Sequence, residues 1–279
     1  MSGGFDIDAY FARIGYTGPR KPDIETLTAI HALQPAAIPF ENLDPLLGRS
    51  IGLDATSLDR KLVRSRRGGY CFELNTLFAD ALNALGFSVT RLAARVRWSL
   101  RADSPERART HMLLCVNLAE GRYLADVGFG GRLFSSPMPF EPGREHHTAA
   151  DTLRLVRHED VYTLQALSEG EWSDLYRFII DAQVAADYEI ANWFLCTHPT
   201  SFFRSNLLAE RLTPECRLSL FNTRLTRTEF GGAAQIRFLT HASELSDALH
   251  DEFDLSLPAD VETLWSLVAN AAGRSTLDG

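Results

Sequence analysis

Arg66-Arg67-Gly68-Gly69-Tyr70-Cys71-Phe72-Glu73-Leu74-Asn75 reads as a positively charged, flexible loop that turns straight into a helix, with a cysteine at the junction. Leu74, Leu77, Phe78, Ala81, Leu82 and Leu85 recur at helical spacing and Gly86 follows as a stop, which predicts a helix over Cys71 to Leu85. Cys71 then lies in the first turn, where unpaired N–H groups and the positive end of the helix dipole favour an anion. Arg64, Arg66 and Arg67 are expected to add to that field, and Gly68 and Gly69 to leave room for a substrate against the backbone. These effects favour the thiolate, the form that attacks carbon. A free cysteine taken alone is more often a small buried apolar residue, so its partners must decide.

Upstream, the sequence predicts short helices. Asp8 caps a segment ended by Gly15, Pro22-Asp23 opens a second helix with Pro35 beyond its end, and Ser57 caps a third. Ile38-Pro39-Phe40-Glu41-Asn42-Leu43 is expected to be irregular, because prolines at 35, 39 and 45 forbid continuous helix. Downstream of Gly86 the period changes from 3.6 to 2. Leu92, Ala94, Val96 and Trp98 alternate with Arg91, Ala93, Arg95 and Arg97 as a half-buried strand. Thr110 to Leu118 and Arg122 to Gly128 make a hairpin around a Glu120-Gly121 turn. Further strands near 153–156, 161–167 and 176–180 complete an antiparallel sheet or barrel from about 87 to 190. Beyond it the pattern is mixed: strands around Gly231-Gly232, helices capped by Ser243 and Asp260, and a fraying end from Arg274.

Composition bounds the function. With 279 residues, 45% hydrophobic and 23% charged, the chain suits a soluble globular protein with a sizeable core. No export signal and no apolar run of roughly eighteen residues is read, so the cytoplasm is the expected location and no membrane partner is expected. Cys71, Cys115, Cys196 and Cys216 are scattered and fit reduced thiols. A net charge of −8 argues against general nucleic-acid binding.

A weak nucleophile needs a base, and the base needs an orienting group. Among eight histidines, His111 stands out because it opens an otherwise apolar strand, and Asp126 is a lone carboxylate in the next one. Singly, each has an ordinary explanation, as a hydrogen-bonded core histidine and as a turn or cap aspartate. Jointly, behind a helix-start cysteine, they point to catalysis. A two-residue turn at Glu120-Gly121 would pair Asp126 with Cys115 and His111 with Gly130, on one face but not as neighbours. No metal is expected, since the only close ligand pair is His146-His147 in a loop. Gly128-Phe129-Gly130-Gly131 offers backbone N–H groups to an anion without the lysine of a phosphate loop.

Arg67 to Asn75, Ile38-Pro39-Phe40-Glu41-Asn42-Leu43, Thr110-His111-Met112, Asp126-Val127-Gly128-Phe129-Gly130 and Thr197-His198-Pro199 to Phe203 together resemble the arylamine N-acetyltransferases, over nearly the whole chain. The resemblance implies an α+β fold around a cysteine-protease-like core: a helical bundle over 1–86, an antiparallel β-barrel over 87–190 and an α/β lid over 191–279. It places a catalytic triad on Cys71, His111 and Asp126. It also implies that acetyl-CoA acetylates the cysteine and that an arylamine, arylhydrazine or N-arylhydroxylamine then takes the acetyl group. Phe40, Phe129 and Phe203 match positions lining the acceptor pocket in bacterial relatives, Tyr70 joins them beside the nucleophile, and Gly130 and Gly131 are the candidate coenzyme A contacts. A homodimer stays open. So do an amide synthase closing polyketide macrolactams, a thiol hydrolase with the same triad, and a coenzyme A-binding protein with an inert cysteine.

Overall fold

The computed structural model describes residues 5–101 and 103–275. Helices Ile7–Ile14 and Ile24–Ala37 lead, capped by Asp6 and Asp23, whose carboxylates accept the N–H of Ala9 and Thr26. Asp6 therefore takes the place expected of Asp8. Likewise Asp54, not Ser57, caps the helix Ala55–Leu58, which continues as a π-helical turn over Asp59–Arg64. Pro35 lies inside its helix, where it removes a single hydrogen bond near the end, so the chain stays helical to Ala37. The proline-rich stretch is also more ordered than expected. Phe40–Glu41 is a short strand and Leu43–Leu46 a helical turn. The central helix is Cys71–Ala84, as expected to within a residue.

Eight strands form one antiparallel sheet. In spatial order they are Met138–Pro139, Gly121–Ala125, His111–Leu118, Ser88–Val96, Glu171–Phe178, Val161–Ser168, Thr152–His158 and Glu145–His147. The Ser136 hydroxyl and His146 Nε2, at 3.0 Å, bring the two edges near each other, so the sheet curls into an almost closed barrel. A second sheet of five strands runs Phe40–Glu41, Leu208–Leu212, Cys216–Phe221, Arg224–Glu229 and Ala234–Phe238, with helices Ala242–Asp247 and Val261–Ser275 in its core. The last helix is capped by Asp260 as expected. It stays helical to Ser275, and the expected fraying of 276–279 lies outside the described residues.

Burial explains this arrangement. Leu74, Leu77, Phe78 and Leu82 pack on Met112, Leu114 and Val116, while Leu113 and Cys115 of the same strand face the barrel core with Leu92, Leu164 and Tyr176. The strand His111–Leu118 is covered on both sides, which is why its sequence is an apolar run with no alternation. Tyr188, Leu195 and Cys196 of the helix Ala185–Thr197 belong to the bundle core, so position 190/191 falls within a helix. The alternation of Ser88–Val96 ends at its last residue. Arg97 turns inward and donates to the carbonyls of Ser104 and Arg101, and Trp98 turns outward.

Arg67 is buried as well. Its guanidinium holds Glu41 at 2.6 and 2.9 Å and Asp44 at 3.1 Å, and Lys61 bridges Asp44 and Glu73 at 2.7 Å each. Removing one member of such a network leaves a buried charge without its partner. Arg67→Ala is expected to destabilise the fold by about 3 kcal/mol or more. Urea unfolding checks this, and a loss below about 1 kcal/mol would mean that water replaces the guanidinium.

Candidate active site

Cys71 is the first residue of its helix, buried to 4% exposure. Glu73 accepts the N–H of Tyr70 at 3.0 Å and so fixes the chain entering the helix. The Cys71 Sγ lies 3.6 Å from the carbonyl of Thr110, the residue before His111. The expected arginine field is absent. Arg64 is paired with Asp6 and Asp59, Arg66 with Asp254, and Arg67 with Glu41 and Asp44, so each guanidinium is neutralised locally. What faces Cys71 is the helix terminus and a histidine.

That histidine is His111. Leu118 pairs with Gly121, so the turn consists of Ala119 and Glu120, one residue earlier than expected at each position. Gly121 can start the strand because, lacking a side chain, it adopts φ 148°. The shift places Asp126 beyond Ala125, itself opposite Leu114, and so diagonal to His111. His111 Nε2 and Asp126 Oδ2 are 2.7 Å apart, both residues buried to 2% exposure. Burial alone would lower the His111 pKa, but the Asp126 carboxylate outweighs it and, with a smaller contribution from Cys71, holds the imidazole up at about 10. Burial likewise works to raise Asp126, yet His111, Asn75 and the Gly128 N–H hold it below the usual carboxylate range. With Nε2 taken by Asp126, Nδ1 is the nitrogen left for the thiol.

Asn75 is the supporting residue whose role the sequence did not reveal. One turn after Cys71, its Nδ2 donates to Asp126 Oδ1 at 2.9 Å and to the Met112 carbonyl at 2.7 Å, while its Oδ1 accepts the Val127 N–H at 3.1 Å. It thereby ties the cysteine helix to the segments that carry His111 and Asp126. Its i, i+4 spacing from Cys71 was the available signal. Gly128 lets these elements meet, since a Cβ there would stand 2.9 Å from the Cys71 Cα and 2.9 Å from Asn75 Nδ2. Gly128→Ala is expected to cost about 1–3 kcal/mol and to slow Cys71 alkylation, both read from one preparation. Unchanged stability and alkylation would show that the helix yields freely.

The other glycines near the site sit in close contact with the rest of the chain. A Cβ on Gly68 would lie 2.2 Å from the Pro39 carbonyl oxygen, and one on Gly69 would meet Glu73 at 2.7 Å. The room expected there for substrate is filled by the protein. Gly130 lies under the Phe40 ring, and Gly131, at φ 95°, under Trp98. The Glu210 carboxylate accepts the N–H of Leu133 at 2.9 Å and is also bound by the N–H of Gly131. Burial pushes this carboxyl up to about 7 against the pull of Arg217.

The four aromatic candidates fall into two groups. Phe203, half-buried, packs against Phe40 at 6.1 Å and Tyr70 at 5.7 Å between ring centroids. Phe129 meets His111 edge-on at 5.1 Å, with Tyr176 at 4.9 Å from His111 and Trp98 at 6.0 Å from Phe129. Tyr176 is an aromatic neighbour of the site that nothing in the sequence singles out. Among the described residues no group of three or more His, Cys, Asp and Glu is arranged to hold a metal ion, and no helix is long and apolar enough to cross a membrane.

A cysteine at a helix start, a histidine on a barrel strand and an aspartate on the next define a papain-like acyl-transfer geometry. The sequence matches the family model described as N-acetyltransferase over residues 23–261. It is 42% identical over 255 residues to an arylamine N-acetyltransferase of Mycolicibacterium smegmatis, covering 90% of this chain and 92% of that one. The arylamine N-acetyltransferase of M. tuberculosis superposes with a TM-score of 0.90 at 36% identity, covering 95% of this chain and 99% of that one. The Mycobacterium marinum enzyme, solved in complex with CoA, superposes at 0.88 with 37% identity over 92% of this chain and 97% of that one. The chain belongs to the arylamine N-acetyltransferase family.

Proposed function

We propose that this protein transfers the acetyl group of acetyl-CoA to arylamines, arylhydrazines and N-arylhydroxylamines by a two-step exchange through an acetyl-cysteine. The observation that carries the reading is the His111–Asp126 pair beside the helix-start Cys71. A positively charged His111 next to Cys71 makes an ion pair whose sulfur attacks the thioester carbonyl. The sulfur–carbon bond to Cys71 forms, the bond to coenzyme A breaks, and the departing thiolate takes the proton from His111 Nδ1. One thioester replaces another, so this half-reaction is nearly balanced in energy. The acceptor nitrogen then attacks the acetyl-cysteine, gives its proton to His111 and expels the Cys71 thiolate, which restores the ion pair. Backbone N–H groups at the first turn of the helix stabilise the oxyanion in both steps.

Phe40, Tyr70 and Phe203 form the aromatic wall that receives a flat acceptor, and Phe129 packs edge-on against His111. These rings keep water from the acetyl-cysteine. The domains divide the labour: the bundle presents the nucleophile, the barrel presents the base and its carboxylate, and the C-terminal part supplies Phe203. A relative from Salmonella typhimurium carries the name arylamine N-acetyltransferase / N-hydroxyarylamine O-acetyltransferase, which supports the wider acceptor range. Initial rates with acetyl-CoA and 5-aminosalicylate, both varied, test the order of steps. Parallel double-reciprocal lines are expected; intersecting lines would mean that both substrates bind before any transfer.

A further inference from the structure

His31 is a buried titratable group that this chemistry leaves unused. It sits on the helix Ile24–Ala37, with no exposed surface and with its ring edge-on to Phe78 at 5.6 Å. Its Nε2 receives the backbone N–H of Asp126 at 3.2 Å. A nitrogen that accepts carries no hydrogen, so the ring is the neutral tautomer protonated on Nδ1. Burial pushes His31 down to about 4 against the pull of the Asp126 charge, which keeps the acceptor intact at neutral pH. The titratable groups acting on the ring are Asp126 and His146, and His111 binds the far end of the same aspartate. Asp126 thus stands between two histidines with opposite duties: a protonated one at its carboxylate and a neutral one at its main chain.

We propose that His31 is a positioning residue for acyl transfer: by accepting the Asp126 N–H it fixes the main chain from which the carboxylate reaches His111. The proposal rests on the roles given above to Cys71, His111 and Asp126. Without an acceptor the buried N–H must turn elsewhere. The carboxylate then moves off the imidazole, His111 releases its proton more readily, and Cys71 loses its cationic neighbour. A shift of an ångström in such a site can cost about a hundredfold in rate.

The test compares His31→Leu, which has no acceptor, with His31→Gln, whose amide oxygen can take the place of Nε2. Cys71 alkylation by iodoacetamide is followed between about pH 6 and about pH 9, together with kcat/KM for acetyl-CoA and the unfolding midpoint. In folded His31→Leu, alkylation at the acid end is expected to fall about tenfold or more with little change at the alkaline end, and His31→Gln is expected to restore the profile. A folded leucine variant with the wild-type profile would overturn the proposal. Should that variant not fold, nitrogen-15 histidine spectra of the wild-type protein decide: His31 must be the Nδ1–H tautomer, and an Nε2–H tautomer overturns the assignment. Slow alkylation of the wild-type protein at the acid end would instead defeat the reading of the triad on which the proposal rests.

Discussion

Cys71→Ser is expected to lower acetyl transfer by about ten-thousandfold or more while leaving the fold intact. The substitution changes one atom, and the Thr110 carbonyl near Sγ can accept from a hydroxyl as well as from a thiol. The loss arises from the neighbouring base. With His111 held at about 10, the imidazole already carries its proton at neutral pH, so the site suits a nucleophile that surrenders its proton in the resting state. A serine hydroxyl does not surrender its proton to an imidazole at rest. Single-turnover transfer from acetyl-CoA measures the effect. Retention of more than about a tenth of the activity would place the nucleophile elsewhere, on Cys115, Cys196 or Cys216.

Asp126→Asn is expected to be nearly as damaging, with a loss of about ten-thousandfold. The Oδ1 side would keep its bonds from Asn75 and the Gly128 N–H. On the Oδ2 side an amide NH2 would face Nε2, turning that nitrogen into an acceptor and moving the ring proton to Nδ1. His111 would then point a hydrogen at the sulfur and could accept no proton from an amine. Burial, no longer opposed by a carboxylate, would also push His111 below its ordinary value. Stability provides a second readout. A histidine raised from about 6.5 to about 10 binds its proton more tightly in the folded state, so its contribution is full below about pH 6.5 and disappears as the pH rises through about 10. In Asp126→Asn the carboxylate-dependent part of that fall is expected to vanish. Urea midpoints across this range, compared with wild type, check the sign; parallel profiles would contradict it.

Much of the site was legible because chemistry interrupts pattern. His111 at the head of an apolar strand and Asp126 alone in the next are each the polar exception in their segment, and Cys71 stands where a Gly-Gly loop turns into a helix. Their contact was not legible, because the hairpin register depends on whether Gly121 belongs to the turn or to the strand, and a glycine permits either. The arginine field was misread for a different reason: most of the carboxylates that neutralise it come from other segments, Asp254 being 188 residues from Arg66 and Glu41 26 from Arg67. The short strand Phe40–Glu41 was hidden by its prolines and exists because Leu208–Leu212 pairs with it. That partner strand was itself missed, having no alternation to display. His31 and Asn75 look like ordinary core residues of amphipathic helices, and only the folded chain shows that both hold Asp126.

The central claim, acyl transfer through Cys71, is tested most directly by intact mass. The protein is mixed with acetyl-CoA and no acceptor, weighed, and weighed again after addition of 5-aminosalicylate. One acetyl group on Cys71, lost on adding the amine as N-acetyl product appears, is the expected result. If no adduct forms while Cys71 still alkylates rapidly at neutral pH, the nucleophile stands but acetyl-CoA is not its donor, and the account is contradicted.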